Sequence, residues 1–186
     1  GTTGEAATMT KDETLSVIRT AVDAADGRVP VIAGTGSNDT RKTIAMTRTV
    51  AEIGGVDAAL VVAPYYNKPD QEGMFRHFTE VAENGGLPVV LYNVPSRTGV
   101  SLTAETVARL AENDNIIAIK EASGDMRLDT RIVEEAGDGI QLLSGDDFTT
   151  FPQLAVGGIG CISVASNLIP GTMSDLVSAA NAGDIE

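Results

Sequence analysis

A repeated alternation of apolar and amphipathic segments limits this chain to one class of fold. Six short segments are almost continuously apolar and end in glycine or polar residues, which is typical of buried strands. They cover residues 29–34, 58–64, 88–94, 116–121, 140–145 and 160–165. Around them, apolar residues recur at helical spacing in residues 11–25, 40–53, 71–83, 103–112, 128–136, 148–156 and 172–182. Strands that are apolar on both faces and separated by helices predict a parallel sheet.

Two architectures surround a parallel sheet with helices: an open, doubly wound sheet and a (β/α)8 barrel. The dinucleotide-binding fingerprint of many doubly wound sheets is missing, because Asp39 stands where a glycine should follow Gly36. Conspicuous glycine and polar residues also follow several different strands, as they do on the active face of a barrel. They are Gly36, Tyr66, Tyr92, Arg97, Lys120, Gly145, Asp146 and Ser163. This distribution favours the barrel.

Six strands predict an incomplete (β/α)8 TIM barrel. We expect residues 1–186 to form a single partial catalytic domain that carries strands 3 to 8 and lacks the first two strands. Residues 1–5 would then be the loop after strand 2. Because a six-stranded piece leaves two sheet edges open, we expect the sequence to be a fragment of a longer barrel.

The charge balance excludes one class of partner. The chain has 26 acidic and 13 basic residues, for a formal net charge of −13, whereas nucleic-acid binding needs a basic surface. Abundant carboxylates suit a halophilic source or serve ordinary solubility. The single cysteine, Cys161, excludes an internal disulfide. No apolar run reaches the roughly 18–20 residues of a membrane span and no signal peptide is visible, so we expect a cytoplasmic protein with no membrane partner.

The strand-like segment Ile116–Glu121 carries a lysine at an unusual place. Four apolar residues precede Lys120, and a polar turn ending in glycine follows it. A buried ammonium is costly unless it is paired or deprotonated. Either the Lys120 side chain extends to water along its buried stem, or the protein needs a neutral amine there. The strand alone leaves both interpretations open.

Six motifs in one order resemble those of the dihydrodipicolinate synthases, in the Schiff-base-forming N-acetylneuraminate lyase superfamily. They are GTTGE at 1–5, GTG at 34–36, PYYN at 64–67, YNVPSRTG at 92–99, IKEASG at 119–124 and LSGDD at 143–147. The resemblance extends from residue 1 to about residue 180, and six ordered motifs are far more specific than any one. It implies a TIM barrel. Family members also have a helical C-terminal extension, which we expect this chain to lack.

The resemblance implies a catalytic set built around Lys120. The matching lysine of the family forms a covalent imine with pyruvate. We therefore expect the chain to use no cofactor. Burial favours the neutral amine that attacks the keto carbon. The family's proton relay matches Tyr92, Thr3 and Tyr66. In the family the tyrosine at the position of Tyr66 comes from the neighbouring subunit, which implies a homodimer or a homotetramer.

The resemblance also assigns substrate-binding positions. Thr2 and Thr3 lie in a glycine-bracketed loop that can hold an anion, which in the family is the pyruvate carboxylate. Arg97 has a planar guanidinium suited to a carboxylate, and its family counterpart clamps aspartate semialdehyde. Gly145 and Ile162 match positions whose backbone lines the pyruvate pocket.

Other candidate ligands give no metal site. Asp146 and Asp147 are adjacent, but no histidine or third carboxylate lies near them in motif spacing. We therefore expect a helix N-terminus there. His77, the only histidine, lies within a predicted helix and receives no role.

The implied function is a lyase that condenses pyruvate with aspartate semialdehyde to 4-hydroxy-tetrahydrodipicolinate, in lysine and diaminopimelate biosynthesis. The nearest alternatives share the imine: N-acetylneuraminate lyase and aldolases of 2-keto-3-deoxy sugar acids. Arg97 favours the synthase, because a small aldehyde that bears a carboxylate needs a cation. A non-catalytic fragment that binds small acids is the alternative of another class. A nucleotide-binding domain is excluded by the missing P-loop and dinucleotide fingerprint.

Four positions depart from relatives that lysine inhibits. Those relatives carry a serine, histidines and a glutamate where this chain has Ala6, Lys11, Thr14 and Lys42. A lysine side chain in place of an acid would repel the ammonium groups of bound lysine. We therefore expect weak or absent inhibition by lysine.

Overall fold

The computed structural model describes residues 1–184, whose strands form one six-stranded sheet. The strands are β1 Ile32–Gly34, β2 Ala58–Val62, β3 Val89–Asn93, β4 Ile116–Glu121, β5 Gln141–Ser144 and β6 Gly160–Cys161. The helices are α1 Lys11–Ala25, α2 Thr40–Ala51, α3 Gln71–Asn84, α4 Pro95–Thr98, α5 Ala104–Ala111, α6 Met126–Ala136, α7 Thr150–Ala155 and α8 Pro170–Asn181. Short 3-10 turns occupy Ala6–Thr8, Gly137–Gly139 and Ala165–Asn167.

The order of the strands decides between the two predicted architectures. Neighbours in the sheet are neighbours in sequence, from β1 to β6, and each pairing is parallel. A doubly wound sheet would reverse its strand order at a switch point, and the described sheet has no such reversal. The strands are therefore six consecutive strands of a (β/α)8 barrel, and the sequence-based prediction of the fold is confirmed.

The two faces of the sheet bury different sets of residues. On the outer face, Leu91 and Ile119 join a large apolar core with Phe78 of α3. On the inner face, a smaller cluster holds Val90 and Tyr92 with partners from the adjacent strands. Alternating side chains along each strand produce this division, so consecutive residues serve the helix layer and the inner side of the sheet in turn.

Element ends follow local chemistry. Thr10 begins α1 with a complete capping box, in which Glu13 accepts from the Thr10 backbone N–H. The first and last strands, β1 and β6, are shorter than the sequence predicted. Each of them pairs with a neighbouring strand on one side only. The predicted strand over 160–165 is wrong beyond residue 161, and its end instead enters a 3-10 turn. Within residues 1–184 no helix combines the length and hydropathy needed to cross a membrane.

Candidate active site

Lys120 and Tyr92 lie side by side on neighbouring strands. The parallel register of β3 and β4 sets Tyr92 opposite Lys120, and Tyr92 belongs to the inner-face cluster. The Lys120 Nζ lies 4.2 Å from the centre of the Tyr92 ring. The two residues are only 9% and 7% exposed. The register of one strand pair therefore brings an amine and a phenol together in a largely dry place.

Burial also sets the protonation of Lys120. Desolvation lowers the pKa of its ammonium below that of an exposed lysine, because the charged form loses water. No carboxylate in residues 1–184 forms a salt bridge with this amine that would oppose the effect. A lysine held in this way releases its proton more readily than an exposed lysine, which favours the neutral amine.

Gly145 packs directly against the stem of Lys120. A Cβ atom at position 145 would lie 2.9 Å from the Lys120 Cε and 2.6 Å from the Ala122 Cβ. Both distances are shorter than van der Waals contact, so a side chain there would displace the lysine. The backbone N–H of Gly145 donates to the Glu121 carbonyl at 2.8 Å, and the N–H of Ile162 donates to the Ser144 carbonyl at 2.7 Å. Because both N–H groups already donate within the chain, Gly145 and Ile162 could meet a substrate only through their carbonyl oxygens.

A cavity of about 390 Å³ lies beside Tyr92, a volume suited to a small molecule. Of the predicted residues, Thr2, Tyr92 and Arg97 line it. Those that do not line it are Thr3, Tyr66, Lys120, Gly145 and Ile162. The wall also contains apolar and hydroxyl residues outside the predicted set, namely Leu60, Val62, Val94 and Thr98.

Arg97 brings a positive charge to this cavity. It lies on α4, a four-residue helix that begins with Pro95 directly after β3, and its side chain is exposed. Proline at the first helical position has the backbone angle that a helix requires. Arg97 is the one side chain of Lys, Arg, Asp or Glu among the described lining residues. The cavity therefore favours an anion such as a carboxylate.

The predicted proton relay is not assembled within one chain. Tyr66 follows β2 with a φ of 71°, a left-handed conformation that is costly for a residue with a side chain. Its side chain is 89% exposed. Thr3 lies in the exposed loop at residues 1–5. In residues 1–184 no hydrogen bond links the hydroxyl groups of Thr3, Tyr92 and Tyr66, so the relay stays a prediction.

The acidic pair after β5 fixes the backbone. Asp147 Oδ2 accepts from the Ala165 N–H at 2.9 Å, which connects the segments that follow β5 and β6. Asp146 Oδ1 accepts from the Phe148 N–H at 3.4 Å, just before α7. No group of three or more His, Cys, Asp or Glu residues suitable for a metal ion occurs in residues 1–184. The only histidine is buried in α3, where His77 Nδ1 is 2.9 Å from Thr40 Oγ1.

Two polar residues directly behind the site lie outside the set predicted from sequence. Asn93 and Glu121 follow Tyr92 and Lys120, and both are completely buried on the outer face. The signal was present in the sequence, since an amide and a carboxylate continue two otherwise apolar strands. Such residues require hydrogen-bond partners when they are buried.

The comparisons with known proteins agree on one family. A model of the Dihydrodipicolinate synthetase family matches residues 1–186. The 4-hydroxy-tetrahydrodipicolinate synthase of Syntrophotalea carbinolica is 52% identical over 181 residues, which cover 97% of this chain and 61% of that protein. The chain therefore spans less than two thirds of the length of this relative.

Solved structures give the same result. The chloride-inhibited dihydrodipicolinate synthase from Acinetobacter baumannii, complexed with pyruvate, superposes with a TM-score of 0.96 at 44% identity, over 99% of this chain and 63% of that one. A monomeric dihydrodipicolinate synthase variant superposes with a TM-score of 0.95 at 40% identity, over 99% and 62% of the two chains. These likenesses agree with the partial barrel inferred from the strand order.

Proposed function

The chain belongs to the dihydrodipicolinate synthetase family, and from that premise we propose that it carries the site that condenses pyruvate with aspartate semialdehyde. The product would be 4-hydroxy-tetrahydrodipicolinate, for lysine and diaminopimelate biosynthesis. The observation that carries the proposal is the buried Lys120 amine, 4.2 Å from the Tyr92 ring, with Tyr92 lining a cavity that also contains Arg97. Relatives named 4-hydroxy-tetrahydrodipicolinate synthase support this choice of reaction.

The reaction begins at Lys120. Its neutral amine attacks the keto carbon of pyruvate, and loss of water leaves a protonated imine. The imine withdraws electrons from the adjacent methyl group, which loses a proton and becomes the carbon nucleophile of an enamine. The lowered pKa of Lys120 supports the first step, because only the unprotonated amine can attack. The imine itself accepts the electrons, so these steps require no metal or other cofactor.

The second substrate completes the condensation. The enamine carbon attacks the aldehyde carbon, and the aldehyde oxygen takes up a proton to become a hydroxyl group. The amino group of the semialdehyde then attacks the imine carbon, which closes the ring and releases Lys120. Tyr92 is the proposed acid and base for these proton transfers, because its phenol can both donate and accept. Thr3 and Tyr66 extend this relay in the proposal.

Charge distribution supports the assignment of the two carboxylates. Arg97 would clamp the carboxylate of aspartate semialdehyde, since it supplies the cation of the cavity wall. Thr2 and Thr3 would hold the pyruvate carboxylate with the hydroxyl and N–H groups of their loop. The carbonyl oxygens of Gly145 and Ile162 would limit the space around the imine.

Tyr66 suggests that the working site is shared between subunits. Tyr66 is exposed and strained, and residues 1–184 offer its hydroxyl no hydrogen-bond partner that would explain the strain. We propose that it reaches the site of a second copy, in a homodimer or a homotetramer. The monomeric variant among the structural relatives makes the oligomeric state a necessary measurement here. Cytoplasmic localisation and weak inhibition by lysine complete the proposal.

Pyruvate trapping tests the central step. The full chain is incubated with pyruvate and reduced with borohydride, and the modified lysine is identified by peptide mass spectrometry. We expect an adduct on Lys120, none in the Lys120→Ala variant, and an unchanged adduct in a Lys11→Ala control. A folded protein that gives no adduct on Lys120 contradicts the imine proposal and leaves the interpretation of a fragment that only binds small acids.

A panel of acceptors separates the synthase from its sister enzymes. With the trapped enamine established, we expect consumption of aspartate semialdehyde and little reaction with sugar aldehydes or N-acetylmannosamine. Arg97→Ala should raise the KM for the semialdehyde far more than the KM for pyruvate. Preference for a sugar aldehyde contradicts the proposed substrate and favours a sugar-acid aldolase.

A further inference from the structure

A second polar pair stands back to back with Lys120 and Tyr92. Asn93 lies opposite Glu121 in the same strand register that sets Tyr92 opposite Lys120. The Asn93 Nδ2 donates to the Glu121 Oε2 at 2.7 Å. Because side chains alternate along a strand, one pair lies on the inner face and the other on the helix side. The two pairs therefore share the same two strand ends.

The remaining polar atoms of this pair connect it to the backbone of other segments. The Leu102 N–H donates to the Asn93 Oδ1 at 3.0 Å, and Leu102 lies in the segment that follows α4. The Ser123 N–H donates to the Glu121 Oε1 at 2.5 Å, in the turn just after Lys120. Hydrogen bonds of this pair thus link β3, β4, the turn after β4 and the segment that follows the helix carrying Arg97.

Stability alone does not account for this arrangement. Both residues are fully buried, and burial, together with the nearby charge of Asp129, raises the pKa of the Glu121 carboxyl. Apolar side chains of similar volume would pack there without the cost of removing a carboxyl from water. Unlike apolar packing, a hydrogen-bonded polar pair holds its two strands in one specific arrangement.

We propose that the Asn93–Glu121 pair is a positioning device that fixes the separation of Lys120 from Tyr92 and keeps water away from the Lys120 amine. The inference rests on the proposed function in taking Lys120 as the nucleophile. Asn93 and Glu121 act through the strand ends and do not touch the substrate. If their hydrogen bond is lost, the ends of β3 and β4 separate and the amine becomes better solvated.

A swap of the two side chains tests this inference. In the double variant Asn93→Asp/Glu121→Gln, each hydrogen bond described above can be kept with the donor and acceptor of the central bond exchanged. The Leu102 and Ser123 N–H groups still find oxygen acceptors, and the net charge is unchanged. Asn93→Asp alone sets two carboxyls against each other. Glu121→Gln alone leaves one donor without an acceptor.

The readout is the reactivity of Lys120 with a small acylating reagent as a function of pH, followed by peptide mass spectrometry. It requires neither pyruvate nor turnover. In each single variant we expect the midpoint of the Lys120 profile to rise by roughly one pH unit, towards that of a solvated lysine. The double variant should return to the wild-type midpoint, and the exposed Lys11 and Lys42 should react alike in all four proteins. Sucrose keeps a weakened single variant folded during labelling.

Pyruvate trapping in the same four proteins separates this inference from the proposed function. We expect trapping to slow about tenfold in the single variants and to recover in the double variant. A shifted and restored Lys120 profile without any pyruvate adduct would retain the positioning role and reject the proposed reaction. Identical Lys120 profiles in four folded proteins would overturn the positioning role, whatever happens to their unfolding free energies.

Discussion

The two faces of β3 and β4 each carry a pair of polar side chains, but the two pairs differ in their hydrogen bonding. On the inner face, the Lys120 amine lies over the Tyr92 ring. Within residues 1–184 neither this amine nor the Tyr92 hydroxyl has a hydrogen-bond partner. On the outer face, Asn93 and Glu121 are fully buried and hydrogen-bonded to each other and to backbone N–H groups. Adjacent residues of the same strands therefore differ completely in how their polar atoms are satisfied.

This difference shows how a strand can carry reactive groups in a defined place. A nucleophile and a proton-transfer group must keep their polar atoms free for substrate, so they cannot be fixed by strong hydrogen bonds of their own. The alternation of strand residues allows the neighbouring positions to supply the fixed geometry instead. The outer face should therefore govern stability, while changes on the inner face should affect reactivity more than folding.

The largest loss of stability is expected from truncating a leucine of the outer face, and a leucine of the inner face provides the comparison. Leu91 is completely buried in the outer core, whereas Leu60 is 8% exposed and lines the cavity. We expect Leu91→Ala to lower the free energy of unfolding by about 4 kcal/mol, and Leu60→Ala by about 2 kcal/mol, because the wall of an open cavity loses fewer packing contacts. Urea unfolding monitored by circular dichroism measures both. Equal losses would contradict the contrast between the faces.

The pH dependence of the unfolding free energy should report on His77, a buried titratable group of α3. Burial lowers the pKa of His77 from 6.5 to about 4, although the charge of Asp39 opposes this. Between these values the unfolded chain binds more protons than the folded one, so stability rises with pH over that window and is fully present above pH 6.5. The full effect is on the order of 3 kcal/mol.

His77→Phe removes this titration and keeps an aromatic ring at the position. The unfolding free energy of the wild type minus that of the variant should decrease as the pH falls from 6.5 to 4. This trend does not depend on the value of that quantity at pH 7. Urea unfolding at several pH values supplies the comparison. A difference that stays constant over this range would mean that His77 titrates alike in both states.

The fold could be predicted from sequence where strands are paired on both sides. The segments that became β2, β3 and β4 are mostly apolar, and their bounds were close to the prediction. The edge strands were overestimated, since composition does not reveal that β1 and β6 lack a second neighbour here. The helix α4 was missed because four residues, Pro95–Thr98, are too few to give a periodic pattern.

The site could be predicted only in part, for a different reason. Motif resemblance selected Lys120 and Tyr92, and their strand-end positions agree with it. Their direct contact depends on register, which is shifted by an irregularity between Val89 and Val90 that no hydrophobic pattern contains. Asn93 and Glu121 were not predicted, because the motifs assign roles to reactive groups and not to the residues that hold those groups in place.

Gly145 offers a smaller test on the inner face. A methyl group at this position would overlap with Lys120 Cε and Ala122 Cβ, so Gly145→Ala should lower the unfolding free energy by about 2 kcal/mol. Gly171 has no atom within 4 Å of the corresponding Cβ position, and Gly171→Ala should be neutral or slightly stabilising. Thermal and urea unfolding compare the pair. Equal tolerance at both sites would mean that the Lys120 stem can move without cost.

The smallest expected effect has the opposite sign. Replacement of Lys120 by methionine, which has a similar shape and no charge, removes an ammonium from a poorly solvated place. We expect Lys120→Met to raise the free energy of unfolding at pH 7 by about 1 kcal/mol while abolishing pyruvate trapping. Lys42→Met, at an exposed position of α2, is the matched control and should change stability little.

The pH dependence of this gain provides its strongest check. A lysine with a lowered pKa binds fewer protons in the folded state than in the unfolded state, over the interval between its folded and unfolded pKa values. Its cost is therefore complete below the folded pKa and disappears as the pH rises through that interval. The advantage of Lys120→Met should accordingly shrink towards pH 10. An advantage that is absent at pH 7, or that grows with pH, would mean that the Lys120 ammonium is well solvated and that the inner face is not the dry site inferred here.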